Sequence, residues 1–189
     1  MVFIRDTAQS LRAAVYLVNT LPGEGDGEGE RDRLDSFADF DDYLAVNPYT
    51  GAIRRDRAEL DEVRAVRPRL RRLWEVTRDE AVPLVNEMLR DGGALPQLVI
   101  HDGYDWHIHG TADDEPLATR IMVEVAMAFI DVIRSDEYER VRVCAADDCT
   151  HAYIDFSKNR SKRYCDEGNC GNRMNVNAYR RRKAAQGSA

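Results

Sequence analysis

The first 90 residues carry apolar side chains at helical spacing, and this pattern predicts four helices. The predicted helices cover residues 7–21, 34–46, 57–77 and 79–89. The first stops at Pro22 and the second at Asn47-Pro48, because the residue before a proline is disfavoured in a helix. Pro68 falls inside the third helix and predicts a kink or a break there.

After Gly92-Gly93 the spacing of the apolar residues changes from helical to that of a strand. Residues 97–101 and 106–109 flank the turn-forming Asp102-Gly103-Tyr104-Asp105, so this stretch predicts a β-hairpin. Residues 116–135 are apolar on nearly every side, which predicts a central buried helix. The chain up to this point therefore reads as a mainly helical domain with one hairpin.

Composition divides the chain, because all four cysteines lie beyond residue 143. We place a boundary at 138–143 and predict an N-terminal α+β domain over residues 1–140 and a small C-terminal domain over 141–189. A run of alternating glycine and acidic residues at 23–30 cannot bury anything and is predicted to be a mobile loop.

Basic side chains are concentrated near the C-terminal end. Residues 158–183 hold nine Lys and Arg and two acids, a local charge of +7, whereas the rest of the chain carries −14. Such a segment favours a polyanionic partner. No stretch is apolar and long enough to cross a membrane, and residues 1–6 lack the features of a secretory signal. We therefore expect a cytoplasmic protein with no membrane partner.

The four cysteines form two pairs, Cys144-x4-Cys149 and Cys165-x4-Cys170. This spacing allows four thiolates to converge on one tetrahedral Zn²⁺ at a Zn–S distance of about 2.3 Å. Disulfides and an iron–sulfur cluster are the alternatives; a reducing cytoplasm disfavours the first, and the tight pairing fits zinc better than the second. The cysteines therefore predict a structural zinc site.

The residues around the cysteines predict how the site is built. Residues 141–143 lead into the first pair and 151–156 leave it as strands, so a hairpin can carry this pair in its turn. Cys170 opens a predicted helix that runs to Lys183. A hairpin knuckle joined to a helix in this way predicts a treble-clef-like zinc finger.

The segments 153–160, 163–165 and Cys170-Gly171-Asn172-Arg173 resemble the CGNR zinc-finger family over residues 140–183. Members of that family join the finger to an N-terminal domain called ABATE, and Leu17-Val18-Asn19-Thr20-Leu21 is similar to the opening motif of that domain. The resemblance implies a stress-induced transcription regulator. The chain departs from the family pattern at Tyr164, where Trp is common, and at Asp166-Glu167, whose negative charge weakens the local positive field.

Several polar and basic residues are candidates for nucleic-acid contact. Arg173, Asn177, Arg180 and Arg181 share one face of the predicted helix. The candidate set is Arg160, Lys162, Arg163, Asn172, Arg173, Arg180, Arg181 and Arg182. The alternative is that Asn172 hydrogen-bonds a thiolate, that Arg173 pairs with Asp155 or the thiolates, and that residues 180–183 are simply solvated.

The N-terminal domain offers candidates for a ligand pocket, Asn19 and Trp106, although Asn19 can equally hydrogen-bond locally. His107 and His109 share one strand face and are interpreted as surface or hydrogen-bonded residues. No motif predicts a catalytic residue, so we do not expect an enzyme. The leading hypothesis is a zinc-dependent regulator that binds DNA, with a small-molecule effector or a homodimer contact in the N-terminal domain. The alternative is a zinc module that binds RNA or protein.

Overall fold

The computed structural model describes residues 2–23, 31–100 and 105–187. Its helices and strands, in chain order, are α1 (Arg5–Val18), α2 (Phe37–Val46), α3 (Arg57–Arg71), α4 (Arg78–Asp91), β1 (Gln97–Val99), β2 (His107–His109), α5 (Leu117–Arg134), β3 (Val141–Val143), β4 (Ala152–Ile154) and α6 (Cys170–Gly187). The predicted α+β class is confirmed. The predicted loop at 23–30 and the hairpin turn at 102–105 fall almost wholly outside the described residues.

Helix α5 lies at the centre of the helical layer, as its all-round apolar sequence predicts. It packs against α1, α3 and α4. Its side chains Leu117, Ile121 and Phe129 are fully buried, and Phe129 meets Trp74 edge to face with ring centroids 5.4 Å apart. Burial of each such side chain stabilises the fold by about 1.5–3 kcal/mol.

Helix α3 does not break at Pro68; it continues to Arg71 and ends in a short 3-10 turn over residues 72–74. Pro68 has no N–H to donate to the carbonyl of Arg64. The side chain of Arg67 donates to that carbonyl instead, with Nε 3.2 Å from the oxygen. The same guanidinium binds Asp32 through two 2.7 Å hydrogen bonds.

Both predicted hairpins are present. β1 pairs antiparallel with β2, with Leu98 opposite Ile108, and β3 pairs antiparallel with β4, with Arg142 opposite Tyr153. Helix α4 ends where the sequence predicts, because Gly92 caps it and Gly93 adopts a positive φ of 57°. Within the described residues, no helix is long and apolar enough to span a membrane.

The second hairpin shares its core with the helices. Ala152 and Ile154 of β4 are buried in the same cluster as the helical side chains, and β4 contacts α1. The indole Nε1 of Trp74 also donates to the carbonyl of Tyr153 at 3.1 Å. The hairpin whose turn carries Cys144 and Cys149 is thus supported by the N-terminal helices.

Candidate metal centre and basic surface

The four cysteine sulfurs converge at one point. Their Sγ atoms all lie within 4.8 Å of one another, and every one of these residues is buried. Cys165 Sγ lies 3.7 Å from both Cys149 Sγ and Cys170 Sγ. A tetrahedron of sulfurs about 2.3 Å from one ion requires S–S separations near 3.8 Å, whereas a disulfide requires about 2.05 Å. The distances therefore fit a shared metal ion.

Three local elements position the four cysteines, and Cys144 and Cys149 share the turn between β3 and β4. Cys144 follows β3, and its backbone N–H bonds the carbonyl of His151 at 2.9 Å across the hairpin. Cys165 is in the loop before α6, where its own N–H points at Cys144 Sγ at 3.4 Å. Cys170 is the first residue of α6, so the positive end of the helix dipole faces its sulfur.

Burial disfavours ionisation of part of the cysteine cluster. Burial raises the pKa of the Cys149 thiol, and it raises that of Cys165 to about 11. Burial also opposes ionisation of Cys170, but the hydrogen bonds from Arg173 and from the neighbouring cysteines together outweigh it and lower the pKa of that thiol. Two of the four buried thiols therefore have raised pKa values, and a bound cation would favour their thiolate forms.

Arg173 links the cysteine cluster to an acidic side chain through hydrogen bonds. Its Nη2 lies 3.2 Å from Cys170 Sγ, and its two Nη atoms bind the carboxylate of Asp148 at 2.7 and 3.1 Å. Of the two partners offered for Arg173, the thiolates are confirmed by this contact, and Asp155 is wrong because Asp148 takes its place. The amide of Asn172 donates to Asn169 Oδ1 at 2.8 Å rather than to a thiolate, so that expected contact is also wrong.

Asp155 has a structural role that the sequence analysis missed. It is completely buried, and its carboxylate accepts the backbone N–H groups of Ser157 and Lys162 at 2.8 and 2.9 Å. Burial opposes its ionisation, but these hydrogen bonds, the Ser157 side chain and the charge of Arg142 together outweigh burial and hold the pKa below its usual value. An acid within the otherwise alternating segment 151–156 was the available signal. Through these hydrogen bonds Asp155 fixes the conformation of the loop that leads to Cys165.

The seven basic residues among the nucleic-acid candidates fall into two groups. Three are engaged by acids: Lys162 with Asp166, Arg160 with Glu137 and Glu139, and Arg173 with Asp148. Four others are exposed and make no ion pair within the described residues: Arg163, Arg180, Arg181 and Arg182. The second group supplies the positive charge that is available to a partner.

A groove of about 400 Å³ brings part of that second group together. It runs between the cysteine loops and α6. Arg163 lies on the loop side, Arg181 and Arg182 lie on the helix side, and Tyr164 and Met174 line it between them. The structure thus gathers three predicted residues that are separated by up to 19 positions along the chain.

Asn19 is occupied by the second hairpin. Its Nδ2 donates to the carbonyl of Ala152 at 2.9 Å, and its Oδ1 accepts the N–H of Ala152 at 2.8 Å. It also contacts Glu167, which in turn binds Arg33. Asn19 lines a cavity of about 210 Å³ together with Arg71 and residues of the finger loop. The other pocket candidate, Trp106, does not line this cavity and is 62% exposed.

His107 and His109 are hydrogen-bonded residues, as interpreted from the sequence. Their Nε2 atoms lie 3.1 Å apart, and His109 Nδ1 lies 3.7 Å from Asp113. Among the described residues, the four cysteines are the only group of three or more potential ligands gathered closely enough for a metal.

Comparison with known families matches two parts of the chain in succession. Residues 11–136 match the family model named ABATE, which is described as "Putative stress-induced transcription regulator". Residues 140–183 match the model described as "CGNR zinc finger". A search of curated proteins finds no match. The resemblance expected from the sequence is confirmed, in the expected order.

Proposed function

The chain belongs to the ABATE family and carries a CGNR zinc finger, and from this premise we propose that it is a zinc-dependent transcription regulator that binds DNA. The observation that carries the proposal is the position of the basic groove beside the four-cysteine cluster. A metal bound to the cysteines would fix the position of the loop that carries Arg163 relative to α6, and these two segments are the walls of the groove.

Zinc is the metal that suits this site. Soft thiolates favour Zn²⁺, and four protein ligands leave no open position for a substrate, as in structural zinc sites. Cys144, Cys149, Cys165 and Cys170 would hold the ion, and its charge would offset the thiolates that burial disfavours. We expect about one zinc per chain by elemental analysis. Iron as the bound metal would contradict the assignment.

The unpaired arginines are the groups that we propose contact DNA. Arginine binds phosphate with several donors at once, and each phosphate contact adds about −0.9 to the slope of log affinity against log salt. Arg163, Arg181 and Arg182 line the groove, and Arg180 lies beside them on α6. Arg160, Lys162 and Arg173 are engaged with acids, so we expect them to contribute less.

Duplex binding is tested with the full-length, zinc-loaded protein by fluorescence anisotropy across a salt series. Joint replacement of Arg180, Arg181 and Arg182 by Ala should weaken binding to all duplexes and reduce the slope. The matched control replaces Arg72, Arg90 and Arg134, which are exposed and form no ion pair within the described part of the chain. The control removes the same charge from the helical body, so it should not weaken binding.

The alternative functions appear as outcomes of the same assay. A protein that binds single-stranded RNA more tightly than any duplex would be an RNA-binding module. If the protein binds none of the oligonucleotides, we would assign the basic groove to contact with an acidic protein. A small-molecule effector bound to the N-terminal domain remains a prediction, with the Asn19 cavity as the place to look for it.

A further inference from the structure

Two histidines of strand β2 lie on the inner face of the first hairpin. His107 and His109 are both half-buried, and Ile108 between them points outward. A Cβ at the next residue, Gly110, would come within 2.5 Å of Val123 on α5, so the end of β2 lies directly against that helix. The two imidazole Nε2 atoms face each other at 3.1 Å. The pair is therefore held by a strand that packs on a helix.

The other nitrogen of each ring faces an oxygen that accepts hydrogen bonds. His107 Nδ1 lies 2.9 Å from the backbone carbonyl oxygen of Asp105, and His109 Nδ1 lies 3.7 Å from a carboxylate oxygen of Asp113. These oxygens favour a proton on Nδ1 in both rings, as in metal-binding histidines, and leave a lone pair on each Nε2. Two lone pairs at this separation repel each other unless a cation, either a proton or a metal ion, lies between them.

The distance between the two nitrogens fits one metal ion. Imidazole nitrogens bind divalent transition metals at about 2.1 Å, so a separation of 3.1 Å corresponds to an N–metal–N angle of about 95°. A tetrahedral ion would need a separation of about 3.4 Å. Square-planar and tetragonal ions such as Ni²⁺ and Cu²⁺ use angles near 90°. The pair therefore suits Ni²⁺ or Cu²⁺ better than a tetrahedral Zn²⁺.

A carboxylate on α5 adds negative charge near the pair. Glu124 interacts electrostatically with His107, and its side chain accepts no hydrogen bond within the described residues. Burial raises the pKa of Glu124 to about 7, so a metal ion nearby would stabilise its charged form. Arg120 also interacts with Glu124, but its guanidinium donates to three backbone carbonyls. The carboxylate therefore has charge that a bound cation can compensate.

We propose that His107 and His109 bind a divalent transition-metal ion of the Ni²⁺ or Cu²⁺ class through their Nε2 atoms. The two imidazoles supply two neighbouring ligands, and water would fill the remaining positions. The side chain of His109 is 18% exposed, so the ion has access to the pair from solvent. This site is separate from the four-cysteine cluster, whose soft ligands leave no open position. It does not depend on DNA binding.

Nickel binding to the full-length, zinc-loaded protein tests the proposal without nucleic acid. Equilibrium dialysis against Ni²⁺ up to about 100 µM, followed by elemental analysis, should give about one nickel per chain while zinc stays at about one. Unchanged zinc shows that nickel has not replaced it at the cysteines. His107→Gln and His109→Gln should each weaken nickel binding by more than about tenfold, and Glu124→Gln should weaken it by a smaller factor.

The matched control is Ile108→Ala, which changes the residue between the two histidines on the opposite face of the strand. It should bind nickel as the wild type does. A second measurement needs no variant. Bound Ni²⁺ is paramagnetic, so in nuclear magnetic resonance spectra it should shift the ring signals of His107 and His109. The ring of His151, which lies beside the cysteines, should not be affected.

Three results would overturn the proposal. They are a wild type that takes up no nickel at about 100 µM Ni²⁺, nickel uptake that the loss of either histidine does not weaken, and uptake that occurs only in exchange for zinc. In the first case a proton alone would lie between the two rings. If a histidine variant fails to fold by circular dichroism, the wild-type spectra decide. Shifts at His151 without shifts at His107 and His109 would place the nickel at the cysteines.

Discussion

Replacement of Asn19 by Ala should weaken the packing of the zinc finger against the N-terminal helices and so destabilise the fold. Asn19 caps the C-terminal end of α1, and its side-chain amide binds both the N–H and the carbonyl of Ala152. These two groups point away from β3, so the amide takes the place of a neighbouring strand at the open edge of β4. Ala cannot supply either hydrogen bond.

The magnitude follows from the burial of those backbone groups. Ala152 has no exposed surface, and a buried polar group left without a partner costs about 1–3 kcal/mol. Two such groups would cost about 2–6 kcal/mol if both stayed dry. Asn19 lines the 210 Å³ cavity, so water can enter the space that the amide vacates and satisfy one of them. We therefore expect a loss of about 2–3 kcal/mol in the free energy of unfolding.

Urea unfolding in the presence of zinc measures this loss. Asn47→Ala is the matched control, because Asn47 also caps a helix and its amide donates to only one carbonyl, that of Tyr43, at 3.0 Å. The control should lose about 0.5–1 kcal/mol. Release of zinc to a competing chelator should also be faster for Asn19→Ala than for Asn47→Ala. If the two variants lose the same stability and release zinc equally, the two hydrogen bonds between Asn19 and Ala152 make no special contribution to the free energy of unfolding.

Two further predictions concern the metal and one acid. Cys170→Ser should lose zinc and the structure of residues 144–183, measured by elemental analysis and by hydrogen exchange; retention of a full equivalent of metal would contradict a four-thiolate site. The hydrogen bond from Arg67 lowers the pKa of Asp32 from 3.8 to about 2, so Asp32 stabilises the fold above pH 4, and this contribution is lost as pH falls through 2. Asp32→Asn should therefore cost about 1–2 kcal/mol at pH 7, after allowance for solvent screening, and a loss that persists unchanged at pH 2 would refute this origin.

Features that depend on neighbouring positions could be predicted from the sequence. Apolar spacing gave α1 to α5 within a few residues of their ends, and alternation gave both hairpins, because helical and strand periods are local properties of the chain. The cysteine spacing likewise predicted that four sulfurs meet. The helices, the hairpins and each close pair of cysteines depend on residues whose separation is fixed by one element or one short loop.

Features that depend on distant pairings could not be predicted. The partner of Arg173 is Asp148 rather than Asp155, since both acids lie at similar distances along the chain and only the folded loops decide between them. Asn19 and Ala152 are 133 positions apart, and nothing local marks the pair. Pro68 is a third case, because the helix continues where a neighbouring arginine supplies the missing donor.

Removal of the finger tests whether residues 1–140 form a domain of their own. The proposed boundary leaves the helices intact but removes Ala152 and Ile154 from the shared core, and it removes the carbonyl that Trp74 binds. Loss of the Ile154 side chain alone accounts for about 1.5–3 kcal/mol, and each lost hydrogen bond for about 1 kcal/mol. A fragment of residues 1–140 should therefore fold cooperatively but with about 3–5 kcal/mol less stability than the full chain.

Urea unfolding followed by the fluorescence of Trp74 provides the measurement for this fragment. A longer fragment, residues 1–158, is the control, because it keeps β3 and β4 but lacks the second pair of cysteines. If the strand rather than the metal supplies the missing stability, the longer fragment should recover most of it in the presence of a chelator. Equal stability of the short fragment and the full chain would mean that the two units are independent. A disordered short fragment would mean that the hairpin of the finger is an obligatory part of one core.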